Sequence, residues 1–202
     1  MKRGKQQNNE FLDKKHSVMM KYYDTLEFSR SDKQLKREMK SLIEKDPNFY
    51  DPYITLAEIL FSESKDKEAG ALLENGYQLA MTRIVDVKGN FPESLPWLWL
   101  ENRHIIRIIH SWATKIWGEE KTEEALAIFR KLLHSNLNDN IGARYSILAI
   151  RLGLNSDYEL EFETEDMPGY LDAAKVMDWF DKNSKKFMDE FEWWFNQMRD
   201  QA

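Results

Sequence analysis

The chain lays down one pattern of apolar residues twice, and that pattern is a helical hairpin. Tyr53, Leu56, Ala57 and Leu60 are followed by Ala69, Leu73 and Gly76. Ile109, Trp112, Ala113 and Ile116 are followed by Ala125, Phe129 and Leu132, with the same internal spacing. Steps of three and four residues put each set on one face of a helix. A small residue in each helix (Ala57 with Ala69, Ala113 with Ala125) lets two antiparallel helices come close. Large residues one turn away fill the groove between them. Such a hairpin cannot bury its apolar faces alone. The pattern therefore predicts an all-α fold in which hairpins stack side by side.

Moving the first hairpin back by 34 residues finds a weaker copy at 16–46. Tyr53, Leu56, Ala57 and Leu60 fall on Met19, Tyr22, Tyr23 and Leu26. Ala69, Leu73 and Gly76 fall on Leu35, Met39 and Leu42. The positions stay apolar while the small residues become large, which predicts looser packing. The period then breaks, since 56 residues separate Ala69 from Ala125. The excess holds an extension of the second helix through Met81, Ile84, Val85 and Val87, then the loop Gly89 to Pro96. A fourth first-helix is expected at Asn140 to Leu152, with no second helix of the same pattern after it. Pro47, Pro52, Pro92, Pro96 and Pro168 mark boundaries. The expected organisation is a disordered lead-in at 1–10, helical repeats at 11–156, an extended acidic linker at 157–169 and a terminal helix at 170–202.

Composition narrows the function classes. The net charge of −6 argues against nucleic acid, which selects a basic field. The absence of cysteine removes disulfides and thiolate metal sites and points to a reducing compartment. No apolar segment follows Lys2, Arg3 and Lys5 as a secretory signal requires. The apolar runs are too short to span a bilayer. The expectation is a cytoplasmic protein without a membrane partner. Seven Trp, eleven Phe and eight Tyr leave aromatic surface for a partner.

These spacings resemble the tetratricopeptide repeat, in which two helices alternate with a period of about 34 residues. Pro47, after Lys45-Asp46, fits the family's proline between repeats, and Leu137 stands at the matching place in the third hairpin. Thr122-Glu123-Glu124-Ala125-Leu126-Ala127-Ile128-Phe129 is the most typical phrase. The resemblance covers roughly 16–152 and is strongest at 50–80 and 106–140. The stretches Leu95-Pro96-Trp97-Leu98-Trp99-Leu100-Glu101-Asn102-Arg103 and Asn138-Asp139-Asn140-Ile141-Gly142-Ala143-Arg144-Tyr145 also resemble phrases of bacterial repeat proteins without a firm activity. The resemblance implies a right-handed α-solenoid of about three hairpins closed by a C-terminal capping helix. It implies partner binding and no enzyme activity, although a fold does not by itself fix a function.

In such solenoids the first helix of each hairpin lines the concave face. The expected groove comprises Asp51, Ile54, Glu58 and Phe61, then Arg107, His110, Thr114 and Trp117, then Arg144 and Arg151. It would hold a peptide or helix of another protein. The arginines either hold an anion by forked hydrogen bonds or pair with the acidic stretch Asp157 to Asp166. Some members of the family clamp a terminal carboxylate with lysines and asparagines. Ile54, Glu58, His110 and Thr114 do not match that clamp.

No metal or cofactor is expected. His104 and His110 lie on roughly opposite sides of a helix and cannot share an ion. His16 and His134 read as ordinary polar histidines. No phosphate loop, nucleophile elbow or zinc-protease motif is present. Glu101, Asn102, Arg103 and Arg107 read as a capping and ion-pair cluster. A catalytic pocket around Trp97, Trp99, Glu101 and Arg103 is the weaker alternative. The terminal stripe Val176, Met177, Phe180, Phe187, Phe191, Trp194, Phe195 and Met198 is amphipathic, widened by Trp179 and Trp193. It reads as a cap over the end of the stack or as a surface for homodimerisation, with Trp179, Phe187, Phe191, Trp193 and Trp194 at the contact.

Overall fold

A computed structural model describes residues 10–164 and 167–200. The expected lead-in lies outside the described residues except for Glu10. The fold is all-α apart from one short strand pair. The helices are α1 (Met19–Phe28), α2 (Asp32–Lys45), α3 (Asp51–Ser62), α4 (Asp66–Ile84), α5 (Leu100–Gly118), α6 (Thr122–Ser135), α7 (Ala143–Arg151), α8 (Ala173–Asn183) and α9 (Met188–Asp200). The antiparallel strands are β1 (Glu163–Thr164) and β2 (Met167–Leu171). No described helix is long and apolar enough to cross a membrane. The chain forms two compact units, one ending at Trp112 and the other beginning at Ala113, so α5 contributes to both.

The repetition seen in the sequence is present in the backbone. At the end of α3, Ser64 takes a left-handed φ of 59°, and Lys65 N donates to Leu60 O at 2.9 Å. At the end of α5, Glu120 takes φ of 65°, and Lys121 N donates to Ile116 O at 3.0 Å. Both are six-to-one helix stops, in which one left-handed residue turns the chain back and satisfies a late carbonyl. The next helix then starts alike, with Ala69 N bonded to Lys65 O and Ala125 N bonded to Lys121 O. The same stop closes α7, where Gly153 has φ of 75° and Leu154 N donates to Ala149 O at 2.9 Å.

The turn between hairpins also recurs. Asp46 after α2 has φ −144° and ψ 86°, and Asn136 after α6 has φ −136° and ψ 79°. The carbonyl of Pro47 accepts from Tyr53 Oη at 3.1 Å, and that of Leu137 accepts from Trp194 Nε1 at 2.9 Å. The weak first hairpin lacks the left-handed stop. Ser29 is extended there (φ −70°, ψ 132°), and Ser31 caps α2 by accepting from Gln34 N.

In the first unit α3 packs against both α2 and α4. Met39, Leu42, Tyr53, Leu56, Ala57, Ala69 and Leu73 are buried. The small residues at 57 and 69, like those at 113 and 125, have essentially no exposed surface. At Gly76 the neighbouring helices leave little room for a side chain. A Cβ there would stand 3.0 Å from Ile108 Cδ1 and 3.3 Å from Tyr53 Cγ. Both neighbours are fully buried and have little room to retreat. Gly76→Leu is expected to cost about 1–3 kcal/mol through overpacking. Denaturant titration followed by helical circular dichroism would read it as a lower midpoint.

The second unit departs from expectation. α7 packs against α6 and α8. The acidic stretch is not an extended linker throughout. Tyr158–Phe162 forms a 3-10 helix anchored by buried Tyr158 and Phe162, and a strand pair follows. The terminal segment is not one helix either. Asp172 caps α8 by accepting from the backbone N–H groups of Ala174 and Lys175, both at 3.1 Å. A 3-10 turn, Ser184–Phe187, then separates α8 from α9. Ser184 is completely buried in that turn.

Candidate functional site

The first unit carries an open cleft of about 420 Å³. Tyr22 and Leu26 of α1 and Leu35 of α2 line one side. Asp51, Ile54, Thr55, Glu58 and Ile59 of α3 line the other, and Arg107 of α5 completes the lining. The walls are fastened by polar contacts. Tyr22 and Thr55 share a hydroxyl hydrogen bond of 3.0 Å. Arg107 holds Asp51 through two parallel bonds of 2.8 and 2.5 Å and donates to Tyr23 Oη at 3.2 Å. The cleft's guanidinium is therefore neutralised within the chain. Glu58 is exposed on the wall and has no hydrogen bond or ion pair among the described residues. Its crowded surroundings raise its carboxyl above the ordinary value.

The cleft gathers Asp51, Ile54, Glu58 and Arg107 of the expected groove. Phe61 is exposed on α3 but does not line it. His110 is half-buried, and burial lowers its imidazole pKa to about 4, so it is neutral. α1 forms a wall with little core of its own, because Tyr22 is its one buried residue. Tyr23, Leu26 and Phe28 stay exposed on it.

A second cluster in this unit joins residues far apart in sequence. Asp13, His16 and His104 are buried together. Asp13 Oδ2 lies 3.0 Å from His16 Nε2 and 3.1 Å from His104 Nε2. Asp13 Oδ1 accepts from Arg83 Nε and from Lys14 N, both at 2.7 Å. His16 Nδ1 lies 2.7 Å from Asp46 Oδ2. The backbone joins in, since Asp13 N donates to Asn102 Oδ1 at 2.9 Å. Asn102 Nδ2 donates to Phe11 O at 2.9 Å. Segment 11–17, expected within the helical region, is instead a non-helical strap tied to the start of α5.

The partners fix the protonation of each ring. Tyr50 N donates to His104 Nδ1 at 3.1 Å, so that nitrogen carries no proton and Nε2–H points at Asp13. His104 is neutral, and burial lowers its pKa accordingly. His16 has a carboxylate oxygen at each nitrogen and is an imidazolium. Burial opposes that charge, but Asp13 and Asp46 outweigh it and raise the pKa. Burial alone would raise Asp13. The bonds from His104, His16 and Arg83 hold it well below the usual carboxylate range.

One oxygen and two nitrogens of Asp13, His16 and His104 lie within 4.8 Å of one another, a donor set suited to a transition metal. The hydrogen bonds oppose that use. A metal on His104 Nε2 would push the proton onto Nδ1, against the Tyr50 N–H. Arg83 already neutralises Asp13. The residues fit an internal ionic clasp better than a metal centre. Asp13, three residues before His16, stands at bonding distance from both His16 and His104, a contact that the reading of His16 as an ordinary polar histidine did not include.

In the second unit the remaining groove residues serve the fold. Trp117 is buried, 6.2 Å from Phe129 and 5.7 Å from Tyr158 between ring centroids, and forms no groove wall. Thr114 is half-buried on α5. Arg144 binds Asp139 at 2.9 Å and lies over the rings of Tyr145, Phe180 and Trp194. Arg151 binds Asp189 at 2.8 Å and Glu190 at 2.7 Å and covers Phe187. These arginines are paired with carboxylates of the same chain. Among the described residues their partners are Asp139, Asp189 and Glu190, not the acidic stretch. No anion clamp is left to them.

The terminal aromatics are likewise occupied. Phe191 and Trp194 are buried. Trp179 stacks on Tyr158 at 5.7 Å, and Trp193 stacks on His134 at 3.8 Å. Phe187 is half-buried beneath Arg151. The faces expected at a dimer contact thus lie mainly against their own unit. In the first unit, Arg103 donates from Nε to Trp97 O at 3.0 Å, and Trp99 Nε1 donates to Glu10 at 2.8 Å. The group considered as a catalytic pocket is therefore used partly for tying down loops. Family models, curated proteins and solved structures all gave no match to this chain.

Proposed function

We propose that this chain is a non-enzymatic scaffold of the tetratricopeptide type, a right-handed α-solenoid that holds a peptide or helix of another protein. The docking site is the cleft between α1 and α3. The observation that carries this reading is an apolar cleft whose outer wall is a lightly packed helix with exposed Tyr23 and Leu26. The three recurring helix stops and the recurring turn between hairpins support the repeat assignment. The arginines of the second unit are not part of the site, because the chain's own carboxylates hold them.

Ile54 sits half-buried in the cleft wall. Ile54→Glu places a charge where a guest's apolar side chain would lie. Recovery of the partner from native lysate should fall about tenfold or more, the effect of losing one good apolar contact at an interface. The thermal transition should move little. Unchanged recovery would remove the cleft as the docking site.

A further inference from the structure

We infer that the guest of this cleft presents a lysine or arginine one helical turn from an apolar side chain, and that Glu58 pairs with it. This rests on the reading of the cleft as a docking site. Ile54 and Glu58 are four residues apart on α3, so they share a face. Both line the cleft. The other two charges of the lining, Asp51 and Arg107, cancel through their double hydrogen bond. Lys36 of α2 and Lys65, just after α3, are both bound to Glu63, at 2.5 and 2.6 Å. The cleft therefore keeps one uncompensated charge, a carboxylate beside an apolar wall.

The crowding that raises the Glu58 carboxyl is offset by no cation among the described residues. A guest ammonium or guanidinium supplies the missing counter-charge while its neighbouring side chain enters between Leu26 and Ile54. The net charge of −6 speeds the approach of such a segment but does not select where it docks.

The test uses two synthetic amphipathic helices, acetylated and amidated, with the same leucines. One carries lysine four residues after each leucine, and the other carries glutamate there. Both are dye-labelled and titrated into the full chain at physiological salt by fluorescence anisotropy. The lysine helix should bind at least about tenfold more tightly than the glutamate helix. Glu58→Lys should reverse the order. Glu124→Lys changes the net charge equally, on an exposed position of α6, and should leave the order as it was.

A lysine preference that survives Glu58→Lys would overturn the assignment of Glu58 and leave only bulk charge. Equal binding of both helices, abolished by Ile54→Glu, would keep the cleft and overturn its cation preference. Binding of neither helix, or binding untouched by Ile54→Glu, would overturn the cleft reading and this inference with it.

Discussion

Replacing Asp13 with alanine is expected to lower the free energy of unfolding of the first unit by about 3–5 kcal/mol, the cost of removing one partner from a buried ionic cluster. The side chain accepts from His16, His104, Arg83 and Lys14 N at once. Truncation leaves the His16 imidazolium with one carboxylate instead of two and leaves Arg83 without its carboxylate partner. The backbone N–H of residue 13, which alanine keeps, still binds Asn102, so the loss is confined to the side-chain cluster. Asp13→Asn keeps the size without the charge and should cost less. Chemical denaturation would measure both. A midpoint shift equivalent to under about 1 kcal/mol for alanine, the size expected of an ordinary exposed pair, would show that the cluster is not bound together as described.

The cluster also predicts a pH dependence of definite sign. The folded-state pKa of His16 is raised, so its contribution is fully present below the ordinary imidazole value of about 6.5 and is lost as pH rises through the raised value. The advantage of wild type over His16→Gln should therefore shrink on the alkaline side. His104 has the opposite sign. Its pKa is lowered by burial, so the folded state resists its protonation and stability falls as pH drops below about 6.5. Asp13, held far below its usual range, adds a further loss once the pH falls through the ordinary carboxylate region. Stability that rises steadily from pH 6 to pH 9 in wild type, with the His16→Gln difference growing alongside, would contradict the charge assigned to His16.

The legible parts of this chain are those set by local spacing. Ala57, Ala69, Ala113 and Ala125 stand out because helical contacts recur every three or four residues, and all four are buried. The Ser64 and Glu120 stops fall where the apolar pattern pauses between the two helices of each hairpin. The illegible parts depend on contacts between distant residues. Asp13, Asp46, Arg83 and His104 meet only after the chain has folded. One local clue existed, the three-residue step from Asp13 to His16. The break at Ser184 was hidden because the aromatic stripe keeps helical spacing across it without glycine or proline. Arg144 and Arg151 were legible as cations of one helix, α7, but their carboxylates sit where the fold places α9 and the turn before α7. Counting around a helix finds a face. It does not find what covers that face, and this separates Ile54, which lines the cleft, from Trp117, which is buried.

In the second unit the largest expected effect is at Phe180. Its ring is 3% exposed and lies 5.5 Å from Tyr145, 5.2 Å from Phe191 and 5.9 Å from Trp194 between centroids, all in edge-to-face geometry. The Arg144 guanidinium lies over it at 5.6 Å. Phe180→Ala opens a cavity at the point where α8 meets α7 and α9, and should cost about 3–5 kcal/mol. Met177, one turn earlier on α8 and 56% exposed, is the control, and Met177→Ala should change stability by no more than about 0.5 kcal/mol. Denaturation followed by tryptophan fluorescence reads the first unfolding transition, since Trp194 shares this cluster. Sedimentation at the same concentrations reads association. A large loss for Phe180→Ala with unchanged mass means that α8 spends its aromatic face on its own unit. Small losses for both variants, with Phe180→Ala abolishing self-association, would mean that the face packs on a second molecule instead.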